Sequence, residues 1–137
     1  MESFEPTTLI PLALYYLFFF LDAYKTRKGI LPDASNEANP FSRYLYRQFP
    51  RWAIALFDIA LALFVTAVAL SVSSFVGLWI LYSFAFGHFL GFLSWTRLNV
   101  LHGKLKGKIL LFLLFLLFAV ICGHSLALVH MSLLNKV

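Results

Sequence analysis

Asp58 and Arg97 bracket a stretch of sequence, residues 59–96, that holds no charged side chain, and His88 lies inside it. Asp58 and His88 are the ionisable groups best placed for chemistry within a membrane. Counted from the centres of the apolar runs that carry them, Asp58 lies about four residues and His88 about three residues toward the same side, so at about 1.5 Å per residue their depths agree within roughly one helical turn. An ionisable group inside a span is costly and faces a partner or a water-filled cavity. Two roles fit the pair. One is a proton relay, ion site or general acid–base couple. The other is an interhelical hydrogen bond that fixes a hairpin, worth about 1 kcal/mol. The second is the default, because buried polar groups are paired.

A second group, Asp22, Thr26, Glu37 and Asn39, falls near the same membrane face. Oxygen donors of this kind suit a hard cation. They equally suit a solvated rim, with Asn39 capping a helix and Asp22 paired to Lys25 or Arg27. His124 raises the question of haem ligation together with His88, but the two lie on opposite sides of their span centres, roughly 10 Å apart along the membrane normal. That is a poor match for two axial ligands of one ring. No cofactor is expected, with haem and a divalent cation as the minor alternatives. His130 falls near a span end and His102 in a basic loop. The one cysteine, Cys122, excludes an internal disulfide and reads as a small packing residue. Arg97, Lys104, Lys106 and Lys108 suit anionic lipid headgroups, at about 1 kcal/mol each near the surface, and serve equally as a topology signal. No nucleophile elbow, P-loop, HExxH or CxxC occurs, so no catalytic residue is assigned.

The elements that must hold these groups are helices in lipid. The chain is 61% hydrophobic and 12% charged, too apolar for a soluble fold of 137 residues. Runs of roughly 20 apolar residues each span a bilayer, and four are expected, at about 8–24, 52–70, 74–96 and 109–131. The acidic N-terminus argues that the first run is kept as a span and is no secretory signal. Between the first two, Asn39-Pro40 reads as an N-cap and first helical residue, opening a short amphipathic helix over 40–49 that ends at Pro50 and lies in the interface. Ser83, Gly87 and Gly91 recur every four residues, and Gly123 and Ala127 form a second such pair; small residues at this spacing let helices approach closely. The fold class is therefore all-α, a single four-helix transmembrane domain with one interfacial helix. Loops 25–51 and 97–108 carry ten of the eleven Lys and Arg residues. The positive-inside rule places both loops in the cytoplasm and both termini outside the cell membrane.

Asp22-Ala-Tyr-Lys-Thr26, then Gly29, then Glu37-Ala-Asn39-Pro40, resembles the pattern of a family of small prokaryotic membrane proteins, the DUF5658 type. The resemblance covers about a fifth of the chain, and the Gly-to-Glu spacing here is longer than in that pattern. It implies a four-span bundle with a polar cluster near one face. It implies no activity.

Three functional classes follow. The first is an accessory or structural subunit of a membrane complex or homo-oligomer, suggested by the two small-residue faces and the small size. Lipids and other membrane subunits would be its partners, and nucleic acid would not. The second is a small ion- or proton-coupled transporter or channel using Asp58 and His88. The third is a membrane enzyme acting on a lipid-linked substrate through the carboxylates of the cytoplasmic face. The first is favoured; an enzymatic role is left open, with the balance against it.

Overall fold

A computed structural model describes residues 8–30, 37, 39–97 and 105–134. Among them the chain forms five helices: α1 Leu9–Ile30, α2 Pro40–Gln48, α3 Arg51–Ser71, α4 Ser74–Arg97 and α5 Leu105–Leu134. Four of these, all but α2, are long and apolar enough to cross a membrane. The protein is a multi-pass helical membrane protein with one short helix lying outside the spans.

Local sequence explains the boundaries. Pro11 sits in the first turn of α1, where its missing N–H leaves no helical bond unmade. The helix runs past the expected end at 24 to Ile30, carrying Gly29 within it at a cost of about 1 kcal/mol relative to alanine. Side-chain contacts that Asp22, Lys25 and Arg27 make with α3 and α4 hold the added turns. α2 opens as expected: the Asn39 side chain accepts from the backbone N–H of Phe41 at 3.0 Å and of Ser42 at 3.4 Å, and Pro40 takes the first position. It stops before Pro50, which opens α3; the Pro50 carbonyl accepts from the N–H of Ala53 at 3.0 Å. Only Val72 and Ser73 separate α3 from α4. This tight hairpin needs Gly77, because a Cβ there would collide with the Ala69 carbonyl. α5 begins about two turns before its spanning stretch, Phe112–Leu134, so Lys106 and Lys108 stand on the helix.

The helices are arranged around α4, which packs along α1 on one side and α5 on the other, with α3 a lesser neighbour. Paired side chains give the directions. Tyr15 meets Phe84 and Lys25 meets Phe92, so α1 and α4 run parallel. Phe86 meets Phe118 and Trp79 meets His124, so α5 runs antiparallel to α4. Tyr16 bonds Thr66 at 2.9 Å, bringing α3 against α1 in the opposite sense. The core joins Tyr15 and Phe19 of α1, Ala62, Val65 and Ala69 of α3, and Leu81 and Ala85 of α4. A smaller cluster sets Leu78 and Tyr82 against Ala127. Alanines at these contacts follow the rule that close approach in lipid is driven by small residues. Large apolar residues such as Phe64, Leu117 and Val129 are exposed on the outer faces of α3 and α5, as a lipid-facing surface requires.

Candidate functional site

His88 projects from α4 toward α1, and its Nδ1 lies 2.9 Å from Asp22 Oδ2. The imidazole is held between aromatic rings of α1, with the Phe19 ring edge-on at 5.3 Å and Tyr15 at 5.9 Å. Thr26, one turn beyond Asp22, donates its hydroxyl to Oδ1 at 3.3 Å. Gly91 makes this geometry available: a Cβ at that position would stand 2.7 Å from both Asp22 oxygens. The glycine's role here is to let a carboxyl group rest on the helix backbone.

The partner expected for His88 was Asp58, and this is corrected. Asp58 Oδ2 instead lies 3.4 Å from Arg27 Nη2. Asp58 and His88 do line one cavity. What fails is the assumption that the chain neighbours α3 and α4 are also the closest in space. α4 turns its His88 face to α1, and α1 serves both acid–base contacts. Asp22 and Arg27 are five residues apart, about 140° around a helix, so one points to α4 and the other to α3. Asp22 accordingly pairs with His88 and not with Lys25 or Arg27; Lys25 lies over the Phe92 ring at 5.9 Å from its centre.

Glu37 and Asn39 build the start of α2. Glu37 Oε1 accepts from the Asn39 backbone N–H at 2.8 Å, and Arg43 donates through Nε at 2.8 Å, and through Nη2, to the Glu37 carbonyl. Glu37 and Arg43 are each only 7% exposed. Burying an arginine is tolerable when its donors are satisfied in this way. Tyr46, on the same helix, lies near Arg27 and Asp58. Burial raises its pKa above the usual 10.0 and the nearby Asp58 adds to the rise, with Arg27 opposing both.

Asp22, Thr26, Glu37, Asn39, Asp58 and His88 all line one cavity of about 390 Å³. Apart from Ser42 and Ser83 its remaining wall is largely apolar, with Phe57 and Leu61 of α3, Phe84 of α4, and Phe112, Phe115 and Leu116 of α5, while Phe41, Leu45 and Tyr46 of α2 border it as well. Among the described residues no group of three or more His, Cys, Asp or Glu side chains gathers to hold a metal ion. The four oxygen-bearing residues considered for a hard cation share this cavity, with Asp22 and Glu37 the two carboxyl groups among them.

The small residues pack inside the chain. Gly91 receives Asp22 of α1; Gly87 faces Ala119 of α5, where a Cβ would be at an ordinary 3.8 Å; Gly123 lies against Ser83, close enough that a Cβ would strike the Ser83 backbone; and Ala127, 0% exposed, sits under Leu78 and Tyr82. Ser83 Oγ is shielded from solvent without a hydrogen-bond partner, as is Arg27 Nε. The other histidines are elsewhere. His124 meets Phe75 and Trp79 edge-on, and His130 Nδ1 lies 2.8 Å from the Tyr82 hydroxyl. Arg97 is the last residue of α4, and Lys106 and Lys108 begin α5; His102 and Lys104 fall outside the described residues.

Arg27 and Tyr46 were not among the residues expected to build the site. Their signal was present but weak: Arg27 belongs to the site only if α1 continues past Asp22, and Tyr46 only if α2 folds over α3. No family model, no curated protein and no solved structure matches the chain.

Proposed function

We propose that the chain is a membrane-embedded binding protein of the carrier class, whose cavity takes an amphipathic small molecule. The observation that carries this is the cavity itself. At about 390 Å³ it falls in the range of small-molecule sites. Its wall carries ionisable side chains from α1, α3 and α4 together with aromatic and aliphatic side chains from α1, α3, α4 and α5. A polar group would rest against Asp22, Asp58 and His88, and an apolar body against Leu61, Phe112 and Phe115. Ionisable residues facing a cavity inside a span are what transport and proton exchange use. By the positive-inside rule the end bearing α2 and the basic loops is cytoplasmic, with both termini outside.

The small-residue faces that favoured an accessory subunit are occupied by α1, α4 and α5 of the same chain, so they no longer call for an external partner. Four of the residues behind the resemblance to the DUF5658 type, Asp22, Thr26, Glu37 and Asn39, border the cavity, which suits a shared binding role. Native mass spectrometry of the chain released gently from its membrane tests the proposal. A retained amphiphile at one copy per chain is expected. Bare chain at the lowest activation energy, across several mild detergents, would overturn it.

A further inference from the structure

The four spans form a ring that is closed on three sides. α5 packs on α4, α4 on α1, and α1 on α3, the last through the Tyr16–Thr66 bond and the shared core. α3 also touches α4, but α3 and α5 do not pack along each other among the described residues. Both nevertheless line the cavity, so the space between them is its open side. Phe84 marks the opening. Leu81 and Ala85, on the same central helix, are 0% and 3% exposed, yet Phe84 is 41% exposed and lies on the cavity wall. Phe57 and Leu61 of α3 and Leu116 of α5 line the cavity and are exposed as well. In a membrane this side faces hydrocarbon. Lipid tails are as apolar as the helix faces, so nothing drives α3 against α5, and tails fill the gap.

The cavity is also graded along its length. α1 and α4 run toward the end where α2 meets α3 through Phe41 and Phe57, and α3 runs away from it. Asp22, Thr26, Asp58 and His88 line the cavity toward that end. Beyond them on the same helices the lining residues are Tyr15, Phe19, Leu61, Phe84 and Ser83, without a carboxyl, an imidazole or a basic group. From Asp22 back to Tyr15 is seven residues, about 10 Å. From this open side and this gradient, and resting on the cavity being a binding site, we infer that its ligand is a bilayer lipid, which enters sideways between α3 and α5, sets its hydrogen-bonding headgroup among Asp22, Thr26 and Asp58, and lays its hydrocarbon chain over Phe84 between Leu61 and Leu116. A cavity of about 390 Å³ is smaller than a whole bilayer lipid, so it takes the headgroup and the start of the chain while the rest passes through the gap into the membrane. A water-soluble ligand would use the polar end alone and leave the open side without a purpose.

The test places the full chain in nanodiscs of phosphatidylcholine doped with a phosphatidylcholine that carries a mid-chain diazirine. The residues labelled on illumination are mapped by peptide mass spectrometry. Leu63 and Leu117, exposed and outside the cavity wall, report ordinary lipid contact. Phe84 should be labelled to a comparable extent, although it belongs to the helix at the centre of the bundle. Leu116→Trp, at an exposed position beside the gap, should abolish the label at Phe84 and leave that at Leu63 unchanged. The adduct retained in the native mass spectrum should fragment as a lipid. Label at Leu63 and Leu117 without label at Phe84 would overturn lateral entry, and label at Phe84 that survives Leu116→Trp would overturn its placement between α3 and α5. An adduct without a hydrocarbon chain would overturn the lipid as ligand while the cavity remained a binding site. Bare chain would overturn both readings together.

Discussion

Replacing Gly91 by alanine separates the acid–base pair from the fold that supports it. A Cβ at position 91 would lie 2.7 Å from both Asp22 oxygens, whereas ordinary contact begins near 3.4 Å. The obstruction is the end of a side chain, so the Asp22 carboxyl retreats and the helices stay in place. Its 2.9 Å contact with His88 then lengthens beyond hydrogen-bonding range. An interhelical hydrogen bond in a membrane contributes about 0.6 to 1.7 kcal/mol. Alanine in place of glycine returns about 0.8 to 1 kcal/mol of helix propensity. The two nearly cancel, so overall stability should change by less than about 1 kcal/mol while the Asp22–His88 coupling disappears. A double-mutant cycle of Asp22→Ala and His88→Ala, followed by unfolding in mixed micelles, reads that coupling directly. In the parent chain it should be about 1 kcal/mol, and in the Gly91→Ala background near zero. An unchanged coupling would refute the placement of Asp22 against Gly91. A stability loss above about 3 kcal/mol would show instead that a backbone had been struck.

The other small residues give a contrast that needs no ligand. Gly123→Ala drives a Cβ into the Ser83 backbone and should cost at least about 1 to 3 kcal/mol, whereas Gly87→Ala meets Ala119 at 3.8 Å and should be neutral or stabilise by up to about 1 kcal/mol; comparable losses in the same unfolding assay would contradict the α4–α5 register. Tyr46 should ionise above the free value of 10.0 in an ultraviolet titration, and Asp58→Asn should bring it down by removing the neighbouring carboxyl. Because the folded pKa is raised, the stability linked to Tyr46 is fully present below pH 10.0 and is lost as the pH rises through the folded value.

The spans, the interfacial helix and its Asn39 cap were legible in the sequence because each rests on local signals: runs without charge, Asn-Pro, and Pro50. That Asp58 and His88 belong to one site was legible too, from counting rise per residue, and both line the cavity. The order of helices around the bundle was not. All four spans are apolar enough to cross a membrane, so hydrophobic pattern does not say which face meets which neighbour. The tight turn at Val72 and Ser73 suggested that α3 is the main partner of α4, yet α1 and α5 hold it more extensively. Ending α1 at 24 hid Arg27, because a glycine in a helix reads as a stop until tertiary contacts override it. The small-residue ridge of α4 was visible, but its division between Asp22 on one side and α5 on the other depends on packing alone.

The central claim is that the cavity between the helices binds a ligand. Leu61→Trp tests it most directly, because the larger ring fills the space beside Phe57 and Phe115 from a side chain that makes neither acid–base contact. The quantity to measure is the bound amphiphile per chain by native mass spectrometry, on samples whose helicity and unfolding transition match the parent. Loss of the adduct in Leu61→Trp, with the fold retained, is the predicted result. An adduct kept in full would place the molecule on the outer, lipid-facing surface and would contradict the account.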